Sequence, residues 1–325
     1  TAIARDVTLG PWTLSTLTLI TSFRILIGFA GGAGSIAAPM YIAEVAPPRM
    51  RGKLGMAFQL ALVAGSAAAP LAAYPISLYI SPETSWRWMF ASALVLVVLL
   101  ILFVSMLPPS PRWLSDKGRF QEAFAVLNQI HGPELAEREL MEIRNSVREE
   151  EGDWRELWQK GVRLALGIGL LLAFFNNWTG WSAMGGYITV LVEQAGVKTH
   201  SMAILQLAYT NISMTVMTIV SMVLVDRLGR RPLWIFSSIL MALVTFATGL
   251  VFQYHLTGLI VIVVLCLCTV PHGLALGGLP WLMMSELYPN RVRAKAVAVT
   301  TTFLFLVIYT CGQFFPIFEG ISVRP

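Results

Sequence analysis

Apolar residues run along the chain in eight long stretches that are separated by polar links. Each stretch provides the roughly 20 apolar residues that an α-helix needs to cross the hydrocarbon core of a bilayer. A buried helix of a soluble protein can imitate one or two such stretches, but not eight in succession. The pattern therefore predicts an all-α membrane protein, with spans at Pro11–Ile42, Leu54–Ile80, Trp88–Leu107, Leu164–Val192, Met202–Val225, Leu233–Phe252, Leu256–Ser285 and Ala296–Phe318.

The amino-acid composition agrees with the prediction of a membrane protein. The 325 residues are 56% hydrophobic and 13% charged, where charged residues make up about 25% of an average protein. Of the 41 charged residues, 20 lie between Pro108 and Arg163. The rest of the chain has too little charge to cover a water-soluble domain. The three cysteines all lie in apolar runs and predict neither a disulfide framework nor a zinc site.

Lysine and arginine are unequally divided between the two sides of the predicted bundle. The links after the first, third, fifth and seventh spans hold 18 of them, the opposite side holds four, and Arg24 lies within the first span. Because positive residues favour the cytoplasmic side, the basic links are predicted to be intracellular and both chain ends extracellular. We therefore expect a piece of a longer, multi-pass protein of the plasma (inner) membrane.

One charged insert, Ser110–Lys160, interrupts the apolar pattern. Apolar residues at helical spacing predict a helix that ends at His131-Gly132-Pro133. Alternating charges from Ala136 to Trp158 predict a second helix or a pair of short ones. Two interpretations stay open: a solvated intracellular linker, or an element that braces a gate beneath the membrane helices.

A glutamate followed seven residues later by an arginine occurs twice, at Glu44 and Arg51 and again at Glu286 and Arg293. This internal repeat predicts two related halves, as transporter folds often have. Glutamate and arginine at helix ends can form bidentate pairs, which act as a latch if they exist in one conformation only. Static anchoring at the lipid headgroups is the alternative. Two further arginines, Arg230 and Arg231, follow a very short turn and are expected to join this intracellular cluster.

Catalytic chemistry is not indicated. The string Gly32–Ala37 matches a dinucleotide fingerprint, but it lies in an apolar span with no strand before it. His272, also in an apolar span, is interpreted as a packed or water-bonded histidine, with a proton relay as the alternative. No set of reactive side chains converges, so the sequence predicts no enzyme, no cofactor, no metal site and no nucleic-acid partner.

Four strings give the chain a specific resemblance: PMYIAEVAPPRMRG at 39–52, SPRWL at 110–114, DRLGRRPL at 226–233 and PWLMMSELYPNRVRAKAVAV at 280–299. In order and spacing they resemble the sugar porter family of the major facilitator superfamily. The resemblance implies that the eight spans correspond to helices four to eleven of a twelve-helix bundle. It divides the chain into the end of an N-terminal bundle (1–107), an intracellular linker (108–163) and most of a C-terminal bundle (164–325).

The resemblance also implies a set of solute-contacting residues: Gln59, Asn176, Asn177, Ser182, Asn211 and Trp281. The chain departs from the family at three of them, since the family has glutamines at Asn176 and Asn177 and an asparagine at Ser182. It has Leu304 where the family has an asparagine. These departures leave the identity of the solute open. Hydrogen bonding between helices is the alternative role for the amides.

The resemblance adds Arg24, for coupling, and Tyr187, for the gate, to the charge cluster already predicted from the sequence. The expected gating and coupling residues are therefore Arg24, Glu44, Arg51, Tyr187, Arg230, Arg231, Glu286 and Arg293. The resemblance implies a secondary active or facilitative transporter of a sugar or polyol that works by alternating access, with a proton as the expected co-transported ion in the case of symport. Two alternatives stay open: an organic-ion or other small-solute transporter on the same fold, and a non-transporting nutrient sensor.

Overall fold

The structure, a computed structural model, describes residues 7–9, 12–47, 51–149, 153–194, 199–254, 256–289 and 291–322. Two short strands, β1 and β2, come first and pair in antiparallel fashion. The elements are, in chain order, β1 Val7–Leu9, β2 Trp12–Leu14, α1 Thr16–Val45, α2 Arg51–Tyr79, α3 Pro82–Met106, α4 Pro111–Asp116, α5 Phe120–His131, α6 Pro133–Glu149, a 3₁₀ helix Trp154–Trp158, α7 Lys160–Asn177, α8 Trp181–Gln194, α9 His200–Leu228, α10 Arg230–Gln253, α11 Leu259–Pro271, a π-helical turn His272–Leu276, α12 Leu279–Leu287 and α13 Arg293–Ser322.

Within the described ranges, seven helical stretches are long and apolar enough to cross a membrane. They confirm seven of the eight predicted spans, with shifted ends. The predicted start of the first span, Pro11, lies outside the described residues. The helix of this span starts only at Thr16, because Trp12–Leu14 pairs with β1 and the Ser15 hydroxyl caps the helix by accepting from the Thr18 amide at 3.3 Å.

The fourth predicted span, Leu164–Val192, is wrong as one continuous helix. The structure divides it into α7, which ends at Asn177, and α8, which begins at Trp181. Gly180 adopts φ +93°, a conformation that favours glycine and that a helix cannot contain. The break falls within the segment from which three solute contacts are expected.

The seventh predicted span, Leu256–Ser285, is also irregular. Its α-helix passes into a π-helical turn after Pro271 and resumes at Leu279 as α12. Gly273 allows α9 to pack closely here, because an added Cβ would lie 2.7 Å from the Met214 carbonyl oxygen. Turns of this kind occur frequently at functional sites.

The helices pack unevenly. Helix α2 packs along α9, and α7 packs against α13. A buried apolar cluster joins α8, α9, α10 and α11 through residues that include Ile188, Ala203, Val251 and Leu265. By contrast, none of the described residues of α1 or α3 is buried. Such exposed apolar surfaces are suited to contact with lipid or with other membrane helices.

The insert begins with a short helix that was not predicted, α4, and the helix predicted to end at His131 is confirmed as α5. Helix α5 ends at His131, Gly132 adopts φ +82°, and Ala123 and Leu127 are buried on one face. The charged stretch after α5 forms two helices, α6 and a separate 3₁₀ helix. Of the two predicted alternatives, a second helix or a pair of helices, the structure shows the pair. The short turn before Arg230 is likewise confirmed, with Gly229 at φ +80° between α9 and α10.

Candidate functional site

Gln59 on α2 lies against the irregular stretch between α11 and α12. Its side chain is buried, at 4% exposure. A Cβ added at Gly277 would lie 3.0 Å from Gln59 Nε2, and one at Gly278 would lie 3.2 Å from Gln59 Cγ. The two glycines therefore let a polar residue of α2 approach the backbone at the start of α12.

Three polar atoms in this region are buried and have no hydrogen-bond partner among the described residues: Gln59 Oε1, Asn176 Oδ1 and His272 Nδ1. A buried polar atom without a partner costs roughly 1–3 kcal/mol, so native proteins rarely leave one unsatisfied. Buried amides and an imidazole that lack partners are suited to bind a hydrogen-bonding solute or water.

Asn177 and Ser182 bond to each other instead of facing this region as free groups. The Ser182 hydroxyl donates to Asn177 Oδ1 at 2.8 Å, and Asn177 Nδ2 donates to the Ala173 carbonyl at 2.9 Å. The Cys311 thiol donates to the Asn177 carbonyl at 3.6 Å. These bonds fasten the break between α7 and α8. They favour the structural role of the Asn177 amide that is the alternative to solute contact, and solute contact by Asn177 stays a prediction.

Asn176 has a different environment from its neighbour. It is 8% exposed and lines a cavity of about 320 Å³. Around the asparagine, the cavity is lined by Leu172, Phe175, Trp178, Thr179, Trp234, Ser238 and Leu276. Of the six expected solute contacts, only Asn176 lines this cavity, which α7, α10 and the π-helical turn form.

The remaining two expected contacts lie at helix crossings. The Trp281 ring meets Phe58, the residue before Gln59, edge to face with centroids 6.3 Å apart. Trp281 thereby shares the α2–α12 crossing with Gln59. Asn211 Nδ2 donates to the Ser66 carbonyl at 3.0 Å and ties α9 to α2. Leu304, which replaces the family's amide, is buried against Ala173 and Trp281.

His272 belongs to this region although its sequence context predicts a packed or water-bonded histidine. Its ring stacks on Trp181 of α8, with centroids 4.9 Å apart and an interplanar angle of 28°. The same ring lies close to Gly277, whose added Cβ would be 3.1 Å from His272 Nε2. A histidine within an apolar span is the only signal that the sequence offers, and its neighbours become apparent only in the fold.

The expected intracellular charge cluster is only partly described. The side chains of Arg51 and Glu286 lie outside the described part of the structure. Glu44 accepts a hydrogen bond from the Ser110 hydroxyl at the start of the insert. Arg293 Nε donates to the Tyr288 carbonyl at 3.3 Å. Arg230 is half-buried and Arg231 is exposed, so the cluster itself stays a prediction.

The insert contacts the end of α1 that precedes it and the beginning of α13. The Tyr41 hydroxyl donates to the Pro108 carbonyl at 2.9 Å, which joins α1 to the beginning of the insert. At the other end, Glu156 in the 3₁₀ helix pairs with Arg291 at 3.0 Å, just before α13. Lys295 lies over the ring of Trp154, 5.6 Å from its centroid. These contacts favour a bracing element over a free linker.

Two expected coupling residues lie on transmembrane helices. Arg24 is exposed on α1, as are its neighbours along that helix. The Tyr187 hydroxyl donates to the Gly312 carbonyl at 3.4 Å and connects α8 with α13. The gating role of Tyr187 and the coupling role of Arg24 both stay predictions.

Comparison with known proteins gives one consistent result. The family described as "Sugar (and other) transporter" matches residues 7–322. The arabinose-proton symporter of Bacillus subtilis (strain 168) is 34% identical over 303 residues, which cover 90% of this chain and 64% of that protein. The D-xylose-proton symporter of Escherichia coli (strain K12) is 29% identical over 305 residues, which cover 91% of this chain and 61% of that protein. The chain thus spans less than two thirds of the length of these curated relatives.

Solved structures agree. The proton:xylose symporter XylE bound to 6-bromo-6-deoxy-D-glucose superposes with a TM-score of 0.75 and 28% identity, over 89% of this chain and 61% of that one. The partially occluded inward-open form of XylE from E. coli superposes with a TM-score of 0.77 and 27% identity, over 94% of this chain and 67% of that one. The all-α architecture predicted from the sequence is therefore confirmed.

Proposed function

Because the chain belongs to the sugar porter family of the major facilitator superfamily, a family of transporters, we propose that it carries a sugar or polyol across the membrane by alternating access. In this proposal, residues 1–107 end one helical bundle, residues 164–325 form most of the other, and residues 108–163 link them inside the cell. The solute binds between the two bundles, and their rocking exposes it to each side in turn.

The observation that carries the proposal is the crossing of α2 with α12. Gln59 brings a buried amide with an unpartnered oxygen to this crossing, and Trp281 brings an aromatic ring beside Phe58. Amides pair with hydroxyl groups, and aromatic rings cover the apolar face of a sugar ring. The crossing joins helices of the two proposed bundles, which is where alternating access requires the solute to bind.

The two irregular helices support the same site. Discontinuous helices surround the solute in many transporters, because their free backbone groups and their bends can change during the cycle. Here the break between α7 and α8 and the π-helical turn meet through the stacked rings of Trp181 and His272. A change at one irregular point is thereby passed to the other.

We propose the charged intracellular residues as the inner gate. Glu44, Arg51, Arg230, Arg231, Glu286 and Arg293 would pair when the inner side is closed, and the insert would hold α1 in register with them. The hydrogen bond between Glu44 and Ser110 and the pair between Glu156 and Arg291 support this, because each joins the insert to a gate helix or to the link beside one. Charge pairs that exist in one conformation only bias the cycle toward it.

Proton coupling is part of the proposal. The two curated relatives compared above are named as proton symporters of arabinose and xylose. In the proposed mechanism, Arg24 couples proton movement to the gate, because a lone positive charge deep in a membrane helix requires a negative partner. A pH gradient should then drive uptake, and an uncoupler should abolish accumulation.

One observation favours a solute other than a plain hexose. Asn176 and Asn177 are each a methylene shorter than the glutamines of the family, and the Asn177 amide is already bonded to Ser182 and Ala173. A solute that needs both amides would lose hydrogen bonds worth about 1 kcal/mol each. An organic ion or another small solute therefore stays the second candidate.

The test is uptake by the complete protein in cells that lack their own hexose carriers. The panel contains L-arabinose, D-xylose, D-glucose, inositol and several organic ions, each with and without a protonophore. The proposal predicts saturable uptake of at least one sugar or polyol and loss of accumulation with the protonophore. Uptake of organic ions alone would replace it with the second candidate, and binding without exchange in proteoliposomes would indicate a nutrient sensor.

A further inference from the structure

Two polar side chains from different parts of the fold flank Gly277, the buried Gln59 and the partly buried His272. A Cβ added at this glycine would lie 3.0 Å from Gln59 Nε2 and 3.1 Å from His272 Nε2. Gln59 comes from α2, and His272 comes from the π-helical turn that follows α11. Any side chain at position 277 would therefore be forced between the amide and the imidazole.

The imidazole is held in a defined orientation. Trp181 stacks on one face of it, with centroids 4.9 Å apart. The His272 carbonyl accepts from the Gly277 amide at 2.8 Å, which fixes the backbone of the turn between the two residues. A ring held by stacking loses little conformational entropy on binding, so it is suited to recognise a ligand with defined geometry.

The polar atoms of the two side chains that lie nearest Gly277 are the amide Nε2 of Gln59, a donor, and the imidazole Nε2 of His272. Their other polar atoms, Gln59 Oε1 and His272 Nδ1, are buried and have no partner among the described residues. An amide and a neutral imidazole each provide a donor and an acceptor, and a hydroxyl group needs one of each. An apolar group placed here would leave both side chains unpaired, and such sites discriminate strongly against analogues that lack the hydroxyl.

We propose that His272 and Gln59 together bind one hydroxyl group of the transported solute, and that His272 is a specificity-determining residue. This inference rests on the proposed transport function and deepens it by adding a contact that the family resemblance did not supply. Because Gly277 has no side chain, the space beside Gln59 Nε2 and His272 Nε2 stays open, and Trp181 covers one face of the imidazole. The alternative, a permanent structural water between the same atoms, is an outcome of the test.

The test compares His272→Phe with the unaltered complete protein. Phenylalanine keeps a flat ring on Trp181 but removes both ring nitrogens. Equilibrium binding of L-arabinose, D-xylose, D-glucose and inositol, and of each sugar's monodeoxy analogues, is measured calorimetrically in detergent. We expect about tenfold weaker binding of the preferred solute, the loss typical of one hydrogen bond. One deoxy analogue should bind the variant and the unaltered protein equally well.

Two further variants keep the result interpretable. Gly277→Ala fills the gap without removing a polar group and should weaken binding of the same solute. Thr302→Val also replaces a polar residue of a membrane helix, but at an exposed position of α13, and should bind as the unaltered protein does. Thermal unfolding of all variants reports whether the fold is kept.

Different outcomes distinguish failure of this inference from failure of the transport proposal. Unchanged affinities in His272→Phe, or an equal loss for every analogue, would overturn the inference and indicate a structural water, while uptake by the unaltered protein would leave the transport proposal standing. Absence of binding of every sugar and polyol by the unaltered protein would overturn the transport proposal and the inference with it.

Discussion

The imidazole Nε2 of His131, the last residue of α5, lies 3.2 Å from the carbonyl oxygen of Val45, the last residue of α1. The other ring nitrogen, Nδ1, lies 2.5 Å from Glu139 Oε2 on α6. One side chain thus joins two helices of the insert to the C-terminal end of α1. The contact is well enclosed, since the side chain of His131 is 3% exposed and that of Glu139 13%.

We predict that His131→Ala loosens the insert. The substitution leaves the Glu139 carboxylate and the Val45 carbonyl without this partner, at a cost of about 1–3 kcal/mol. Hydrogen exchange in α5 and α6 should become faster, and the thermal midpoint should fall. Glu122→Ala is the matched control, because its ion pair with Arg119 is exposed to solvent and contributes little to stability. Equal exchange in both variants would argue against a brace.

The ion pair between Arg119 and Glu122 should depend on pH. The Arg119 guanidinium hydrogen-bonds to both oxygens of Glu122, at 2.7 and 2.6 Å, and lowers the pKa of that carboxyl group. The stabilisation is therefore present above the ordinary pKa of glutamate and is lost as the pH falls through the lowered value. NMR titration of the Glu122 carboxyl should give a higher midpoint in Arg119→Gln, and an unchanged midpoint would contradict the pairing.

Membrane topology should follow the distribution of positive residues. We predict that a cysteine replacing Lys117 in the insert, or Arg230 at the start of α10, is not labelled from outside intact cells. A cysteine replacing Glu83, which is exposed at the start of α3 on the opposite side, should be labelled. A membrane-impermeant maleimide provides the measurement, and permeabilised cells provide the control. External labelling of all three positions would reject the topology.

The inner gate should respond to a single charge. We predict that Glu286→Gln lowers turnover and favours inward-open molecules, because arginines that lose a partner in a partly desolvated place cost about 2–5 kcal/mol. A bias of ~2.7 kcal/mol would shift the two populations about a hundredfold. Accessibility of a cysteine placed at the intracellular side of α2 reports the shift. Glu142→Gln, at an exposed position of the insert, is the control, and identical accessibility in both would count against the gate.

Neighbouring asparagines should behave differently. Asn177→Ala breaks two bonds at the junction of α7 and α8, so we expect a loss of stability of about 1–3 kcal/mol. Asn176→Gln extends an unpartnered amide within its cavity and should change the order of solute preference with little effect on expression. Thermal unfolding and uptake across the solute panel separate the two effects. Fast glucose uptake by the unaltered protein would defeat the expectation that shorter amides disfavour a plain hexose.

The membrane spans and the short turn between α9 and α10 are predictable from the sequence, because a helix that crosses a bilayer must be long and apolar. Apolar length alone identifies seven spans, and Gly229 among its basic neighbours marks the turn between α9 and α10. The overall apolar length of Leu164–Val192 favours one continuous span, although Asn176, Asn177, Thr179 and Gly180 interrupt the apolar run at the break. The pattern does not show that the chain turns there, which the positive φ of Gly180 reveals.

The site is predictable residue by residue but not in its pairing. Gln59 and Trp281 are expected from the resemblance, and the structure brings both to the α2–α12 crossing. The mutual bond of Asn177 and Ser182 depends on how the chain turns between α7 and α8, so the sequence suggests two separate solute contacts. The stacking of Trp181 on His272 joins residues 91 positions apart in the chain and requires the tertiary fold.

Counterflow in proteoliposomes is the most direct test of the proposed transport, because it requires the loaded carrier to open to each side in turn and needs no driving gradient. The complete protein and its Gln59→Leu variant are loaded with unlabelled L-arabinose, D-xylose or inositol, and entry of the labelled solute is followed. We expect the unaltered protein to accumulate at least one of these labelled solutes transiently. The Gln59→Leu variant should fold but should lose this accumulation. Absence of counterflow with every sugar and polyol, or equal counterflow in the variant, would contradict the proposal.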